Sequence, residues 1–328
     1  MEKENEVKLE EVKVEDTQVV EEAVETETVE QPKSEIYVPE KDEKRHMSQK
    51  TKRRISNTII YIVLVILSIV WLLPFVFIIF QSFEVSYTGN GGNLWPHEWG
   101  WDNYVRLFTE TKFPRWFLNT FLMGLAVSVI QTIMVLSMSY TLSRLRFKGR
   151  KFLMNAMLVL GMFPGFLTMI VLYQVLKDLN LIMDNAIFGL ILVYVASSGM
   201  GYYISKGFFD TIPRSLDEAA RVDGATRLQV FYKIIMPMAK PIVIYTILTA
   251  FMGPWGDFMF AKYITNNTSD SYNVAVGLWS FLSTLDGMSN YYTVFCAGGF
   301  VVSIPITALF LWLQKYYVEG VTGGAVKG

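Results

Sequence analysis

Leu216-Asp217-Glu218-Ala219-Ala220-Arg221-Val222-Asp223-Gly224, running on through Thr226-Arg227-Leu228-Gln229 to Ile234-Ile235-Met236-Pro237, is a polar, helix-forming stretch set between hydrophobic runs. Ser215, followed three residues later by Glu218, reads as a capping box: the hydroxyl accepts from the Glu218 amide and the Glu218 side chain reaches back. Two acids in the first turn suit the positive end of the helix dipole. Ala219 and Ala220 are small, strong helix formers that let another surface approach. Gly224 ends that helix, because glycine takes a positive φ at little cost. Thr226 with Gln229 makes a second capping box. It opens a helix through Val230, Phe231, Ile234 and Ile235, which Pro237 and Pro241 end. Local chemistry thus predicts helix, turn, helix within 207–241.

The runs around this stretch set the class. Residues 55–83, 116–143, 152–176, 185–205 and 287–314 contain no Asp, Glu, Lys or Arg. A membrane-crossing helix needs about 20 apolar residues, so five spans follow directly. A sixth, about 241–262, is interrupted by Asp257. With 328 residues, 52% of them hydrophobic, and a mean hydropathy of +0.32, the chain is no ordinary soluble domain. Helices satisfy their own backbone polar groups in lipid, so an all-α membrane protein of six transmembrane helices over 55–319 is expected. Gly161, Pro164 and Gly165 should break or thin the third span.

Charge is divided unevenly. Residues 1–43 hold sixteen acids and five lysines, whereas the remainder holds fourteen acids and 24 Lys plus Arg. Low hydrophobicity and high charge predict disorder for the acidic segment, within an N-terminal region 1–54 that turns basic at its end. It has no positive start or apolar centre, so it does not read as a signal peptide, and the first span is expected to remain as an anchor. Lys50, Lys52, Arg53 and Arg54 precede that span. Arg144, Arg146, Lys148, Arg150 and Lys151 fill the loop between the second and third. Lys206, Arg214, Arg221, Arg227, Lys233 and Lys240 surround the stretch quoted above. The positive-inside rule places all three segments, and both termini, in the cytoplasm. The first external loop carries Gly89-Asn90-Gly91-Gly92 and then Trp95, Trp99 and Trp101. These indoles suit a membrane interface or contact with an external partner. The single cysteine, Cys296, excludes an intrachain disulfide and any cysteine metal site. His46 and His97 fall in different compartments, so no metal site is expected.

The spacing of Glu218-Ala219-Ala220, three residues, Gly224, nine residues, then Ile234-x-Met236-Pro237 resembles the cytoplasmic EAA loop of ABC-importer permeases, whose usual pattern ends I-x-L-P. Met236 is the one departure. Three further segments resemble the carbohydrate (maltose-type) binding-protein-dependent branch of that family. They are the terminus Gly320-Val321-Thr322-Gly323-Gly324-Ala325-Val326-Lys327-Gly328, Trp101-Asp102-Asn103-Tyr104 followed by Trp116-Phe117-Leu118-Asn119-Thr120, and Trp255-Gly256-Asp257-Phe258. The last has Gly256 where W-N-D-F is common.

The resemblance covers about 55–328 and implies a type I ABC importer permease fold in a bacterial cytoplasmic membrane. Glu218, Ala219, Ala220, Gly224, Ile234 and Pro237 would seat in a cleft of an ATPase subunit. The tail 320–328, through Gly323, Gly324 and Lys327, would reach between two ATPase subunits. It further implies a second homologous permease, two ABC ATPase subunits that bind ATP and Mg, an external solute-binding protein, and an oligosaccharide such as maltodextrin as cargo. Membrane lipid is a partner and nucleic acid is not.

No G-x-x-x-x-G-K-[ST] occurs, so the chain has no P-loop, is no enzyme by itself and needs no cofactor of its own. Asp257 is the only acid inside an expected span, which makes it a candidate for the substrate pathway. Tyr203 and Trp255 could line a sugar path with aromatic faces, or simply pack between helices. A permease for another solute, such as glycerol phosphate or polyamine, and a stand-alone secondary transporter are the alternatives.

Overall fold

The computed structural model describes residues 49–86, 94–162 and 165–323. The acidic segment 1–43, Gly89–Gly92 of the first loop, Pro164, and Gly324 and Lys327 of the tail lie outside the described residues. The chain divides into two units, Met1–Ile60 and Tyr61–Gly328. In the first, residues 49–60 are helical, and Thr58 Oγ1 donates to the Arg54 carbonyl at 2.9 Å.

The helices in order are α1 (Gln49–Ser82), α2 (Asp102–Thr109), α3 (Phe113–Arg144), α4 (Arg150–Gly161), α5 (Gly165–Asp178), α6 (Ala186–Ala196), α7 (Gly199–Thr211) and α8 (Ser215–Val222). There follow α9 (Arg227–Gln229), a π-helical segment (Val230–Ile235), α10 (Met236–Met238), α11 (Lys240–Gly256), α12 (Met259–Thr265), α13 (Val274–Phe281) and α14 (Leu285–Gly323). Among the described residues there is no strand, only an isolated bridge between Glu84 and Trp99.

Four stretches are long and apolar enough to cross a membrane without a sharp bend: Lys50–Ser82, Phe113–Arg144, Met183–Thr211, which joins α6 to α7 through Ser197 and Ser198, and Leu285–Gln314. Two more are bent pairs, α4 with α5 at 101° and Arg227–Met238 with α11 at 84°. Counting each pair once gives six. The break in the third span falls where Gly161, Pro164 and Gly165 place it. The sixth expected span needs correction. Its helix stops at Gly256, and Asp257 leaves helical geometry (φ −78°, ψ 109°) instead of riding inside a helix to 262. At about 1.5 Å per residue, the 17 residues of α11 reach only about 25 Å, the short end for a span.

α3 is central, packed against α6, α7 and α11, while α14 packs on α11, α13 and α2. The buried face of α3 repeats at helical spacing through Trp116, Thr120, Met123, Val127, Val135 and Leu142. Beside them on the same buried face lie Gly124, Ser128, Thr132, Ser139 and Ser143. Small residues let helix backbones approach, which is how helices associate where lipid is as apolar as leucine. By contrast, the apolar side chains of α1 from Tyr61 to Phe75 are more than half exposed within this chain.

At the end of the molecule away from the stretch quoted at the outset, a buried carboxylate holds the first loop. Glu84 accepts from the amides of His97 (2.7 Å) and Ser86 (3.4 Å). Asn103 donates to the carbonyls of Ser82 and Glu84, and Thr293 donates to the Asn103 side chain at 2.8 Å. The exposed indoles Trp95, Trp99 and Trp101 gather at the end of α1 through edge-to-face contacts with Phe80 and Phe83. Nearby, Lys112 lies 3.0 Å and Arg115 3.5 Å from Asp270. The hydrogen bond from Lys112 holds the Asp270 carboxyl below the usual carboxylate range.

Candidate coupling site

α8 does not begin with the expected capping box. Ser215 is already its first helical residue, Arg214 precedes it in helical geometry, and the Glu218 amide bonds the Arg214 carbonyl at 3.1 Å. The turn starts one residue early because Pro213, fixed near helical φ and lacking an N–H, is a favourable residue just ahead of a helix. The Glu218 side chain is thereby released and stands exposed.

The far end of α8 matches expectation in full. Gly224 has φ +83°, its amide bonds the Arg221 carbonyl at 3.1 Å, and the Ala225 amide bonds the Ala220 carbonyl at 2.9 Å. This pair of bonds is a Schellman termination. The second capping box also forms: Gln229 N–H donates to Thr226 Oγ1 at 3.3 Å, and Thr226 N–H donates to Gln229 Oε1 at 2.8 Å.

Pro237 does not end the following helix. It sits inside α10, and the chain breaks at Ala239 (φ −88°, ψ 13°); Pro241 then lies in the first turn of α11. The turn before Pro237 widens into the π segment Val230–Ile235. A proline ring clashes with the carbonyl four residues back, here that of Lys233, and offers no N–H in return. A wider turn absorbs both defects, and single π turns of this kind concentrate at functional sites.

One face of the loop is anchored. Ala220, Val230 and Ile235 are buried with Leu136, Phe209, Ile212, Ala239 and Ile242, and Ile234 packs on that cluster. The Tyr140 ring lies 4.7 Å from that of Phe231. Arg144, at the end of α3, approaches Asp217 with Nε 3.2 Å from Oδ2; the two side chains are 4% and 16% exposed. The pair is held by charge and not by an aligned hydrogen bond, since neither Arg144 Nε nor Asp217 Oδ1 has a hydrogen-bond partner among the described residues. Arg144 Nη2 also donates to the Ile212 carbonyl at 2.8 Å, and Arg214 to that of Ser143 at 3.3 Å. Neither pairing was readable from sequence, where Arg144 and Asp217 carried only topological and dipole meaning.

The other face is open. Glu218, Ala219, Gly224 and Pro237 are exposed, and Val222 and Leu228 stand out at 87% and 69%. The structure therefore gathers the six expected coupling residues into one unit, with Ala220 and Ile234 holding it down and the other four presented outward. A cavity of about 440 Å³ opens beside it, lined by Arg144, Arg146, Arg214, Arg221 and Arg227 against Asp217 and Glu218.

The three pathway candidates are not brought together as one lining. Trp255 is 4% exposed, with its ring against Phe117 and Phe251, so here it packs between helices. The Tyr203 hydroxyl donates to the Met154 carbonyl and ties α7 to α4. Asp257 accepts from the Tyr194 hydroxyl at 2.6 Å and from the Phe260 amide at 3.2 Å, which caps α12. Asn273 closes the same corner by donating to the Pro254 and Asp257 carbonyls. α14 is helical as far as Gly323, so the last helix continues past 319. Among the described residues no cluster of His, Cys, Asp or Glu could hold a metal.

A multi-span helical membrane protein that presents an anchored helix–turn–helix loop is the architecture of an ABC-importer permease. Residues 133–323 match the family described as "Binding-protein-dependent transport system inner membrane component", and the chain belongs to that family. It is 35% identical over 283 residues to the maltodextrin transport system permease protein MdxG of Bacillus subtilis (strain 168), covering 86% of this chain and all of that one. It is 33% identical over 283 residues to the galactooligosaccharides transport system permease protein GanQ of the same organism, covering 85% and 98%. A solved bacterial ABC transporter involved in the import of the acidic polysaccharide alginate has a chain that superposes with a TM-score of 0.67 at 23% identity, covering 81% of this chain and 98% of that one. At that identity the likeness concerns the fold.

Proposed function

We propose that this chain is one of two transmembrane subunits of an ATP-driven importer for a neutral oligosaccharide, maltodextrin first among the candidates. The outward-facing loop of Glu218, Ala219 and Gly224, braced from behind by Arg144, carries the reading. It is a rigid, small-residue projection suited to a cleft in an ATPase subunit. Family membership supports transport as the activity, and the names of the relatives support an oligosaccharide as cargo.

In this reading a second homologous permease pairs with the chain. Two ATPase subunits bind ATP and Mg, and an external binding protein delivers the sugar. Closure of the ATPase dimer pulls on the loop. The force passes through the Arg144–Asp217 pair and the Tyr140–Phe231 contact to α3, and through α10 to α11, so that a central cavity opens alternately to either side. The basic segments put the loop and both termini in the cytoplasm. Asp257 remains the pathway candidate, because it is only half-buried at the point where α11 ends.

The test is uptake by vesicles holding the chain with its permease and ATPase partners and the binding protein. Labelled maltodextrin should enter with ATP and be blocked by excess unlabelled maltodextrin. Entry of glycerol phosphate or polyamine in its place would overturn the sugar assignment, and uptake without ATPase subunits would overturn the importer reading.

A further inference from the structure

The turn joining α3 to α4 carries a feature that coupling does not use. From Arg144 to Lys177 the chain has no acid, yet Arg146, Lys148, Arg150 and Lys151 fall within six residues. Two cations near this turn are accounted for. Arg144 is engaged by Asp217, and Arg150 lies in the field of Asp210, which itself takes Lys206 and the Ser143 hydroxyl, each at 2.5 Å. Arg146, Lys148 and Lys151 make no ion pair among the described residues.

These three cations border a cavity or lie at its turn. A space of about 650 Å³ is lined by Arg146, Phe147, Arg150, Lys151, Phe152 and Met154. Gly149, with φ +89°, lets the chain reverse there and precedes α4 without a side chain to cap it. In the first turn of this twelve-residue helix the Arg150 amide bonds the Phe147 carbonyl at 3.4 Å and the Leu153 amide the Gly149 carbonyl at 2.9 Å, while the positive end of the helix dipole still favours an anion nearby. Arg150 Nε is buried without a hydrogen-bond partner among the described residues. Phe147 and Phe152 flank the cations at 42% and 78% exposure.

We propose that this turn is a binding site for the phosphodiester headgroup of an anionic phospholipid. The unpaired cations at the start of α4 supply the anion chemistry. The two exposed phenylalanines select lipid over a soluble phosphate, because rings beside a headgroup can sink into the acyl boundary where the ends of α3 and α4 meet the membrane surface. Arg146 lines both this space and the arginine-rich cavity beside Glu218. The site rests only on the chain being membrane-embedded, and it would stand if the cargo were a different solute.

The experiment uses the full complex reconstituted in phosphatidylcholine vesicles with trace spin-labelled phosphatidylglycerol or phosphatidylcholine. The wild-type complex should immobilise the anionic probe preferentially. Each cation at a membrane surface favours anionic lipid by roughly fivefold, so Lys148→Gln should lower the preference about fivefold. R146Q/K148Q/K151Q should bring it close to that of phosphatidylcholine. Phe152→Ser, which keeps every charge and whose ring is largely exposed, should weaken immobilisation without changing co-purification of the ATPase subunits. An unchanged preference in the triple variant, or in both single variants should the triple fail to assemble, overturns the site. Displacement of the probe by millimolar inorganic phosphate overturns the lipid assignment and makes this a soluble-anion site.

Discussion

Gly224 and the Arg144–Asp217 pair show how single residues separate folding from coupling. At φ +83° a non-glycine residue costs about 1–2 kcal/mol, yet a Cβ there would meet no atom of this chain within 4 Å. Gly224→Asp should therefore leave the chain inserted and folded while placing an unpaired charge in the docked interface, worth about 3–5 kcal/mol. ATPase subunits should no longer co-purify and uptake should be lost; full uptake by this variant would remove Gly224 from the docking surface. The pair behaves differently, because it acts inside the chain. Arg144→Ala strands the Asp217 carboxylate, a loss of about 2–4 kcal/mol for a pair with one partly exposed member. Hydrogen exchange across 216–223 should accelerate in Arg144→Ala and slow again when Asp217→Asn is added. Equal exchange in all three proteins would mean that the pair does not brace the loop.

Among the elements, the loop was legible where its signals are local and opaque where they are not. Thr226 with Gln229, and Gly224 with its two flanking amides, read correctly because each motif closes within six residues. Ser215 with Glu218 read incorrectly because Pro213 starts the helix first, and two local rules then compete for one turn. The π segment had no local signature beyond Pro237 itself. It follows from a clash with the Lys233 carbonyl, and only the fixed positions of the buried Val230 and Ile235 force the widened turn over a kink. Pro237→Ala restores the missing N–H and removes the clash, so the segment can relax to α-helix. Losing the extra residue of the π turn rotates α9 by roughly 100° about its axis relative to α11. Val230 would leave the buried cluster and Leu228 would no longer face outward. ATP hydrolysis should then proceed without stimulation by the loaded binding protein, although the complex still assembles. Normal stimulation in Pro237→Ala would show that the π turn is incidental to coupling.

For the whole molecule, the count of spans was legible because charge-free runs are long and lipid permits few alternatives. The bend inside the third was legible from its glycines and proline. The early end of the span before Asp257 was not, because besides the local Phe260 amide it depends on Tyr194 and Asn273, which converge from two other places in the chain. What lies beyond Gly323 is open to experiment. α14 reaches Gly323 as helix, and 324–328 beyond it hold two glycines and Lys327. A glycine-containing strand of that length can enter a crevice between two subunits, because glycine lets backbone approach backbone. Truncation after Gly323 keeps every described helix, so it probes the tail alone. If the tail is inserted between ATPase subunits, the truncated complex should hydrolyse ATP with altered stimulation or assemble more weakly, while membrane insertion is unchanged. If the tail is a free end, both values stay at the wild-type level, and the same outcome for Lys327→Ala alone would remove the charged contact from the coupling scheme.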